Sequence, residues 1–176
     1  MEQLKMYWKN DGTPAVSPEF PEGYTLMTMP ELENGVEQWL DIMQYGLSAK
    51  REGFSYYKSC MLDCPCYEED KCFFIMHGGK AIASITVVCD TETKDGLIHM
   101  VGSLPECRGK GVGNMLCAVA DYVLKTTGMQ TASLKTDDFR VPAIKTYLKI
   151  GFQPDLSTED YVQRWDAIYR GIGLKA

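Results

Sequence analysis

The feature that most constrains this sequence is a short stretch, Arg108 to Gly113, in which every second residue is glycine. It reads Arg-Gly-Lys-Gly-Val-Gly. Glycine has no Cβ, so backbone amides in such a stretch can approach a ligand closely. Successive N–H groups in a turn form a concave anion site, and a helix that begins there adds the positive end of its dipole. Because two basic side chains lie in the same stretch, it predicts a binding site for a diphosphate.

Hydrophobic periodicity predicts a strand before this stretch and a helix after it. Residues 97–103 form a short strand, and residues 111–127 carry apolar residues along one helical face up to Gly128, where a left-handed C-cap is expected. Upstream, residues 72–76 and 81–89 read as two strands joined by a tight turn. The three strands form a predicted antiparallel meander, and the diphosphate site follows its last strand.

The other predicted elements extend this pattern on both sides. They are a strand at 23–29, a helix at 33–48, a strand at 129–136, a helix at 142–150, a strand at 152–155 and a helix near 158–171. A strand–helix–strand unit after an antiparallel meander is typical of a mixed α/β layered fold, and its crossover should be right-handed. We expect a single domain over residues 1–176, with a core from about residue 23 to 155.

Composition excludes several classes of function. The net charge is −6 and no basic stripe is present, which argues against a nucleic-acid partner. No run of apolar residues is long enough to span a membrane, and the first ten residues have no apolar core of signal-peptide length. The seven cysteines are an odd number, so we expect reduced thiols and a cytoplasmic location. The spacing in the cluster Cys60 to Cys72 does not fit zinc knuckles, and no metal is expected.

Two other phosphate-binding patterns compete for the glycine stretch. The Walker pattern requires Ser or Thr after Gly-Lys, whereas Gly109-Lys110 is followed by Gly111. The dinucleotide pattern requires a parallel β-α-β unit that starts at the glycines, with an acidic residue after the next strand. The preceding strand belongs to the antiparallel meander, but Asp137 does follow the next strand, so this alternative stays open.

The glycine stretch and a second pattern together resemble a known family. With Pro105 before it and an apolar helix after it, the first pattern resembles the acetyl-CoA motif of the GNAT superfamily of N-acetyltransferases: Arg108-x-x-Gly111-x-Gly113. The second pattern resembles that family's next motif: Ala143-Ile144-x-x-Tyr147-x-x-x-Gly151-Phe152. The resemblance covers residues 23–152. One departure is Arg140, at a position where the family often has asparagine.

The resemblance implies a central, mostly antiparallel sheet with flanking helices and a site for acetyl-CoA. The strand before the glycines would separate from its neighbour at a bulge, and the pantetheine arm would pair with it like an extra strand. The cofactor-binding residues that this implies are Val101, Gly102, Ser103, Arg108, Gly109, Lys110, Gly111, Val112, Gly113 and Asn114. The resemblance further implies that acetyl-CoA would act as a co-substrate, and it makes a homodimer a candidate assembly.

The resemblance also suggests catalytic residues. Tyr147 matches the tyrosine that donates a proton to the coenzyme A sulfur. His99 is a candidate base, because histidine titrates near neutrality and regular alternation would place it on one face with Val101 and Ser103. Glu106, Asp137 and Asp138 are alternative bases.

The function implied is transfer of the acetyl group of acetyl-CoA to a primary amine of a small molecule or peptide, by direct attack in a ternary complex. The alternative is a non-catalytic acyl-CoA sensor on the same fold. A third hypothesis is a nucleotide-binding protein that uses the glycine stretch for another phosphate ligand.

Overall fold

The computed structural model describes residues 2–48 and 50–173. Seven strands form one sheet in the order β2-β3-β4-β5-β6-β1-β7. The strands are β1 Leu4–Lys9, β2 Tyr24–Thr28, β3 Cys72–His77, β4 Lys80–Asp90, β5 Asp95–Ser103, β6 Thr131–Thr136 and β7 Gln153–Pro154. The helices are α1 Gly35–Met43, α2 Phe54–Tyr57, α3 Val112–Thr126, α4 Val141–Lys149 and α5 Glu159–Ile172. A π-helical turn, Lys58–Leu62, continues α2.

The predicted fold class is confirmed. Every pair of neighbouring strands is antiparallel except β5 and β6, which are parallel and connected through α3. β3 and β4 are buried along almost their whole length, as expected for central strands covered on both faces. The predicted apolar face of α3 is buried throughout: Val112, Met115, Leu116, Val119, Ala120, Val123 and Leu124.

Strand β1 was not among the predicted elements. It lies between β6 and β7 and is antiparallel to both. Leu4, Met6 and Trp8 are buried, and the residues between them are more exposed. The buried core therefore begins well before residue 23, whereas the sequence pattern predicted that it starts at about residue 23. A strand gains much of its stability from pairing with its neighbours. Residues 4–9 therefore form a strand because β6 and β7, which lie far along the chain, pair with them.

The two faces of the sheet are covered by different helices. On one face, a Cβ added to Gly96 would lie 2.5 Å from a methyl group of Leu124 in α3. On the other face, a Cβ added to Gly102 would lie 3.1 Å from Ile42 and 3.2 Å from the sulfur of Met43, both in α1. Both glycines of β5 thus permit close packing of a helix on the sheet.

Helix α5 contacts the residues that precede β1. Thr158 caps it by accepting a hydrogen bond from the Tyr161 N–H at 3.2 Å. The Tyr161 hydroxyl donates to the carbonyl of Gln3, and Arg164 makes a two-pronged ion pair with Asp138, with distances of 2.5 and 3.0 Å. The helix lies within one residue of its predicted bounds.

Candidate active site

The central sheet opens between β5 and β6. Only Asp95–Leu97 of β5 pairs with β6, opposite Thr131–Ser133. The rest of β5, from residue 98 to 103, has no partner on that side within the described part of the chain. Its backbone N–H and C=O groups there are free to bind an extended ligand in the way a further strand would. Thr136 is the last residue of β6 and lies beyond the part of β6 that pairs with β5. Its buried hydroxyl has no hydrogen-bond partner among the described residues.

A β-bulge at Met100 changes the direction of the side chains in β5. Thr86 pairs with His99 and Ser84 pairs with Gly102, so β5 carries one extra residue, and Met100 has a φ of 50°. His99 and Gly102 therefore point to the same face, because Thr86 and Ser84 do. The alternation assumed from the sequence, in which His99 shares a face with Val101 and Ser103, is wrong for this reason.

The glycine stretch forms a turn with several free amides. The Arg108 N–H donates to Pro105 at 3.2 Å and the Lys110 N–H donates to Cys107 at 3.4 Å. The remaining amides of the turn and of the first helical residues have no acceptor within residues 2–48 and 50–173: those of Gly109, Gly111, Val112 and Gly113. An anion here would meet four free N–H groups at the start of α3, where the helix dipole also attracts negative charge.

The shape of this turn requires glycine at two positions. Gly109 and Gly111 have φ values of 76° and 80°, and a Cβ on either would meet no atom within 4 Å. Both residues thus border open space, which leaves room for a diphosphate against the amides. Val112 is buried and fixes the first turn of α3, while Lys110 and Asn114 are exposed beside it. The turn, the orphaned Thr136 hydroxyl and the unpaired edge of β5 fit a phosphate-bearing cofactor with an extended arm.

Tyr147 is buried in α4, with 6% of its surface exposed. Its ring packs against Phe152 at 6.2 Å between centroids. Burial raises the pKa of its hydroxyl far above the usual value; the nearby Cys117 adds to the rise, and Arg140 opposes it. No described residue accepts or donates a hydrogen bond at this hydroxyl, so it keeps its proton and its donor capacity for a ligand.

His99 is half-buried and its ring is fixed by the π-helical turn. The Nε2 atom lies 2.8 Å from the carbonyl oxygen of Cys60. A carbonyl only accepts, so Nε2 carries the proton and Nδ1 holds the lone pair in the neutral ring. The segment around Cys60 gave no clear pattern in the sequence, and so this contact had no sequence signal. π-turns are rare and occur often at functional sites.

The acidic side chains proposed as alternative bases each face a cation. Glu106 is exposed and lies 3.7 Å from Lys80. Asp137 accepts a hydrogen bond from Arg140 at 2.7 Å, and Asp138 is bound by Arg164. Arg164 lowers the pKa of Asp138, so that carboxylate is a weaker proton acceptor. The Nδ1 atom of His99 holds a lone pair in the neutral ring, so His99 is kept as the candidate base.

Two arginines near the opened sheet contact one segment that the sequence analysis had placed in a helix at 33–48, although α1 ends at Met43. Arg108 donates from Nη2 to the carbonyl of Tyr45 at 2.7 Å, and Arg140 donates from Nη2 to the carbonyl of Gly46 at 2.6 Å. These carbonyls belong to the 44–48 segment, Gln44–Ser48, which follows α1. No local pattern could have indicated contacts over such sequence distances.

No group of three or more His, Cys, Asp or Glu side chains in residues 2–48 and 50–173 is arranged to hold a metal ion. Within the same part of the chain, every helix is too short or too polar to cross a membrane.

The opened sheet edge and the turn of free amides together offer donors and space that suit an extended, phosphate-bearing ligand. Residues 36–152 match the model of the acetyltransferase (GNAT) family. The chain belongs to this family, as the two sequence patterns indicated.

Individual relatives agree with this assignment. A mycothiol acetyltransferase of Streptomyces bingchenggensis is 27% identical over 157 residues, which cover 85% of this chain and 51% of that protein. The mycothiol acetyltransferase of Streptomyces griseus is 25% identical over 138 residues, covering 77% and 45%. This chain thus spans about half the length of these curated relatives. The fold matches a GCN5-related N-acetyltransferase from Sphaerobacter thermophilus, with a TM-score of 0.67, 18% identity, and coverage of 88% of this chain and 50% of that one.

Proposed function

We propose that this protein transfers the acetyl group of acetyl-CoA to a primary amine of a small molecule, by direct attack in a ternary complex. The observation that carries the proposal is the turn of four free amides at the start of α3, next to the unpaired edge of β5. The names of the curated relatives support acetyl transfer to a small molecule. Nothing in the fold or the comparisons favours a non-catalytic sensor.

The cofactor would be held mainly by backbone groups. The amides of Gly109, Gly111, Val112 and Gly113 would bind the diphosphate, and Lys110 would add charge from the exposed side of the turn. The free edge of β5 at residues 101–103 would bind the pantetheine arm, and an N–H there would polarise the acetyl carbonyl. Bound acetyl-CoA supplies an activated thioester and a thiolate leaving group.

Tyr147 would act as the general acid. Its raised pKa keeps the phenol protonated at neutral pH, and its hydroxyl has no described partner that would compete for the proton. Burial makes this phenol a weaker acid, but the same desolvation raises the proton affinity of a departing thiolate, so a phenol that is free to donate can still protonate it.

His99 would act as the base. Its Nε2–H is bound to the Cys60 carbonyl, which leaves Nδ1 as the atom that accepts a proton. His99 shares a face with Gly102, so it points toward the side covered by α1 and the π-helical turn, away from α3. We propose that the amine approaches from this face and loses its proton to Nδ1, directly or through water.

The test is release of free coenzyme A thiol from acetyl-CoA in the presence of a panel of primary amines. Polyamines, amino sugars, amino acids and a short peptide with a free N-terminus cover the main acceptor classes. The proposal predicts thiol release that depends on at least one small amine, with an acetylated product of matching mass. Binding of coenzyme A without turnover on any amine would favour the sensor. Thermal stabilisation by ATP or NAD but not by coenzyme A would favour a nucleotide-binding protein.

A further inference from the structure

We propose that Arg140 is a positioning residue, which fixes the 44–48 segment across the gap between β5 and β6 and so forms the acceptor side of the site. This proposal rests on the proposed function for its meaning in catalysis. The structural part, that Arg140 holds the segment, can be tested without turnover.

The position of the segment follows from the two arginine contacts. Arg108 lies beyond the end of β5, and Arg140 lies beyond the end of β6. The two strands run parallel and then separate, yet both arginines reach carbonyls of adjacent residues, Tyr45 and Gly46. Adjacent residues are only about 3.8 Å apart from Cα to Cα. The segment therefore lies between the two strand ends, across the mouth of the gap.

The start of the segment is fixed by the packing of α1. The last residues of α1, Ile42 and Met43, pack directly on Gly102 of β5. The segment leaves α1 from this point, and the amides of Leu47 and Ser48 still donate to the Met43 carbonyl at 3.2 Å. This is also the face on which His99 lies. The segment thus stands over the side of β5 from which an amine would approach.

Arg140 is the better anchored of the two arginines. Its Nε donates to Asp137 at 2.7 Å while its Nη2 donates to Gly46, so the planar guanidinium bridges two fixed groups. Arg108 makes no ion pair with a described carboxylate, and it belongs to the turn proposed to bind the cofactor. Only a guanidinium offers two donors with this rigid spacing, and a lysine ammonium does not.

The contacts of Arg140 connect the 44–48 segment to the helix that carries the proposed acid. Arg140 immediately precedes α4, which carries Tyr147, and its charge acts on the pKa of that hydroxyl. Gly46 has a φ of 120°, so the backbone there tolerates the conformation that the contact requires. The segment and α4 should therefore keep one relative position while a substrate binds.

The first experiment measures amide hydrogen exchange in peptides that contain residues 44–48, without any ligand. In Arg140→Gln we expect the amides of Leu47 and Ser48 to exchange about tenfold faster than in the wild type, from loss of a charge-assisted hydrogen bond. Arg140→Lys should behave like Arg140→Gln. A lysine keeps the positive charge, but its single ammonium group cannot bridge Asp137 and the Gly46 carbonyl as the planar guanidinium does. Arg170→Gln is the matched control, since the one side-chain hydrogen bond of Arg170 within the described residues is to the Asp166 carbonyl of its own helix. Unchanged exchange in Arg140→Gln, or wild-type exchange in Arg140→Lys, overturns the proposal.

The second experiment measures steady-state kinetics with acetyl-CoA and the most active amine of the panel. We expect Arg140→Gln to raise the KM for the amine about tenfold, and the Kd for coenzyme A to change less than about twofold. The opposite split, with weaker coenzyme A binding and an unchanged amine KM, would show that Arg140 acts on the cofactor and contradict the proposal. Absence of turnover in the wild type refutes the proposed function instead, and the exchange result then decides on the segment alone.

Discussion

Substitution of Gly111 separates the role of its backbone from its role at a ligand site. Gly111 has a φ of 80°, and an added Cβ would meet no atom within 4 Å. Gly111→Ala should therefore cost only the strain of a left-handed residue, about 1–2 kcal/mol. For a domain of this size, that corresponds to a fall in Tm of roughly 2–8 °C. Gly128, beyond the other end of α3, has a φ of 74° and equally open surroundings, so Gly128→Ala should cost the same.

The effect on ligand binding should differ between the two positions. In Gly111→Glu, a carboxylate about 6 Å from a diphosphate of charge −2, at an effective dielectric constant of about 40, adds roughly 3 kcal/mol of repulsion. That corresponds to about 100-fold weaker binding of coenzyme A. Gly128→Glu changes the net charge and the backbone strain equally, but lies at the far end of α3. It should leave the affinity within about twofold of wild type, because charges beyond a Debye length are screened.

The assay is isothermal titration of coenzyme A into the wild type and the four variants, with Tm measured on the same samples. The expected pattern is equal loss of stability in the two alanine variants, and loss of affinity in Gly111→Glu but not in Gly128→Glu. Binding by Gly111→Glu within about threefold of the wild type would refute the reasoning. So would an equal loss of affinity in Gly128→Glu, since this would show an effect of stability or net charge.

Three further predictions concern other parts of the molecule. Tyr147→Phe should lower kcat by roughly 10- to 10⁴-fold with little change in the KM for acetyl-CoA, at a ratio that is constant from about pH 6 to 9 because the raised pKa keeps the phenol protonated; a wild-type rate removes Tyr147 from the mechanism. Gly96→Ala should lower the free energy of unfolding in urea by about 1–3 kcal/mol, because its Cβ would overlap Leu124; wild-type stability there would show that Leu124 repacks without cost. Asp138→Asn should cost about 1 kcal/mol near neutral pH, at the upper end for a solvent-screened ion pair. Arg164 lowers the pKa of Asp138, so this contribution is present above the unfolded pKa and is lost as the pH falls through the folded pKa; a constant difference between wild type and variant down to about pH 2 contradicts it.

The parts of the fold that sequence could predict are those with local patterns. The meander of β3, β4 and β5 and the apolar face of α3 are visible as periodicity within single segments. Strand β1 also alternates, but its assignment depended on β6 and β7, which lie far along the chain. Strand formation is decided by such partners more than by intrinsic propensity, so β1 had no sufficient local signal.

The candidate site likewise contains features that a local sequence pattern predicts and features that depend on distant parts of the chain. The free amides of the glycine stretch follow from a run of residues without side chains, which sequence reports directly. The bulge at Met100 follows from how β5 pairs with β4, and it reversed the expected orientation of the residues after His99. The contacts of Arg108 and Arg140 with the 44–48 segment join residues distant in sequence, and no local pattern encodes them.

The most direct test of the central claim is the NMR spectrum of the ¹⁵N-labelled protein during titration with coenzyme A. The claim is that the start of α3 grips a diphosphate through its own N–H groups. The account predicts that Gly109, Gly111, Val112 and Gly113 show the largest downfield amide proton shifts, as each N–H gains a charged acceptor. Saturable shifts elsewhere, with these four amides unmoved, would contradict it.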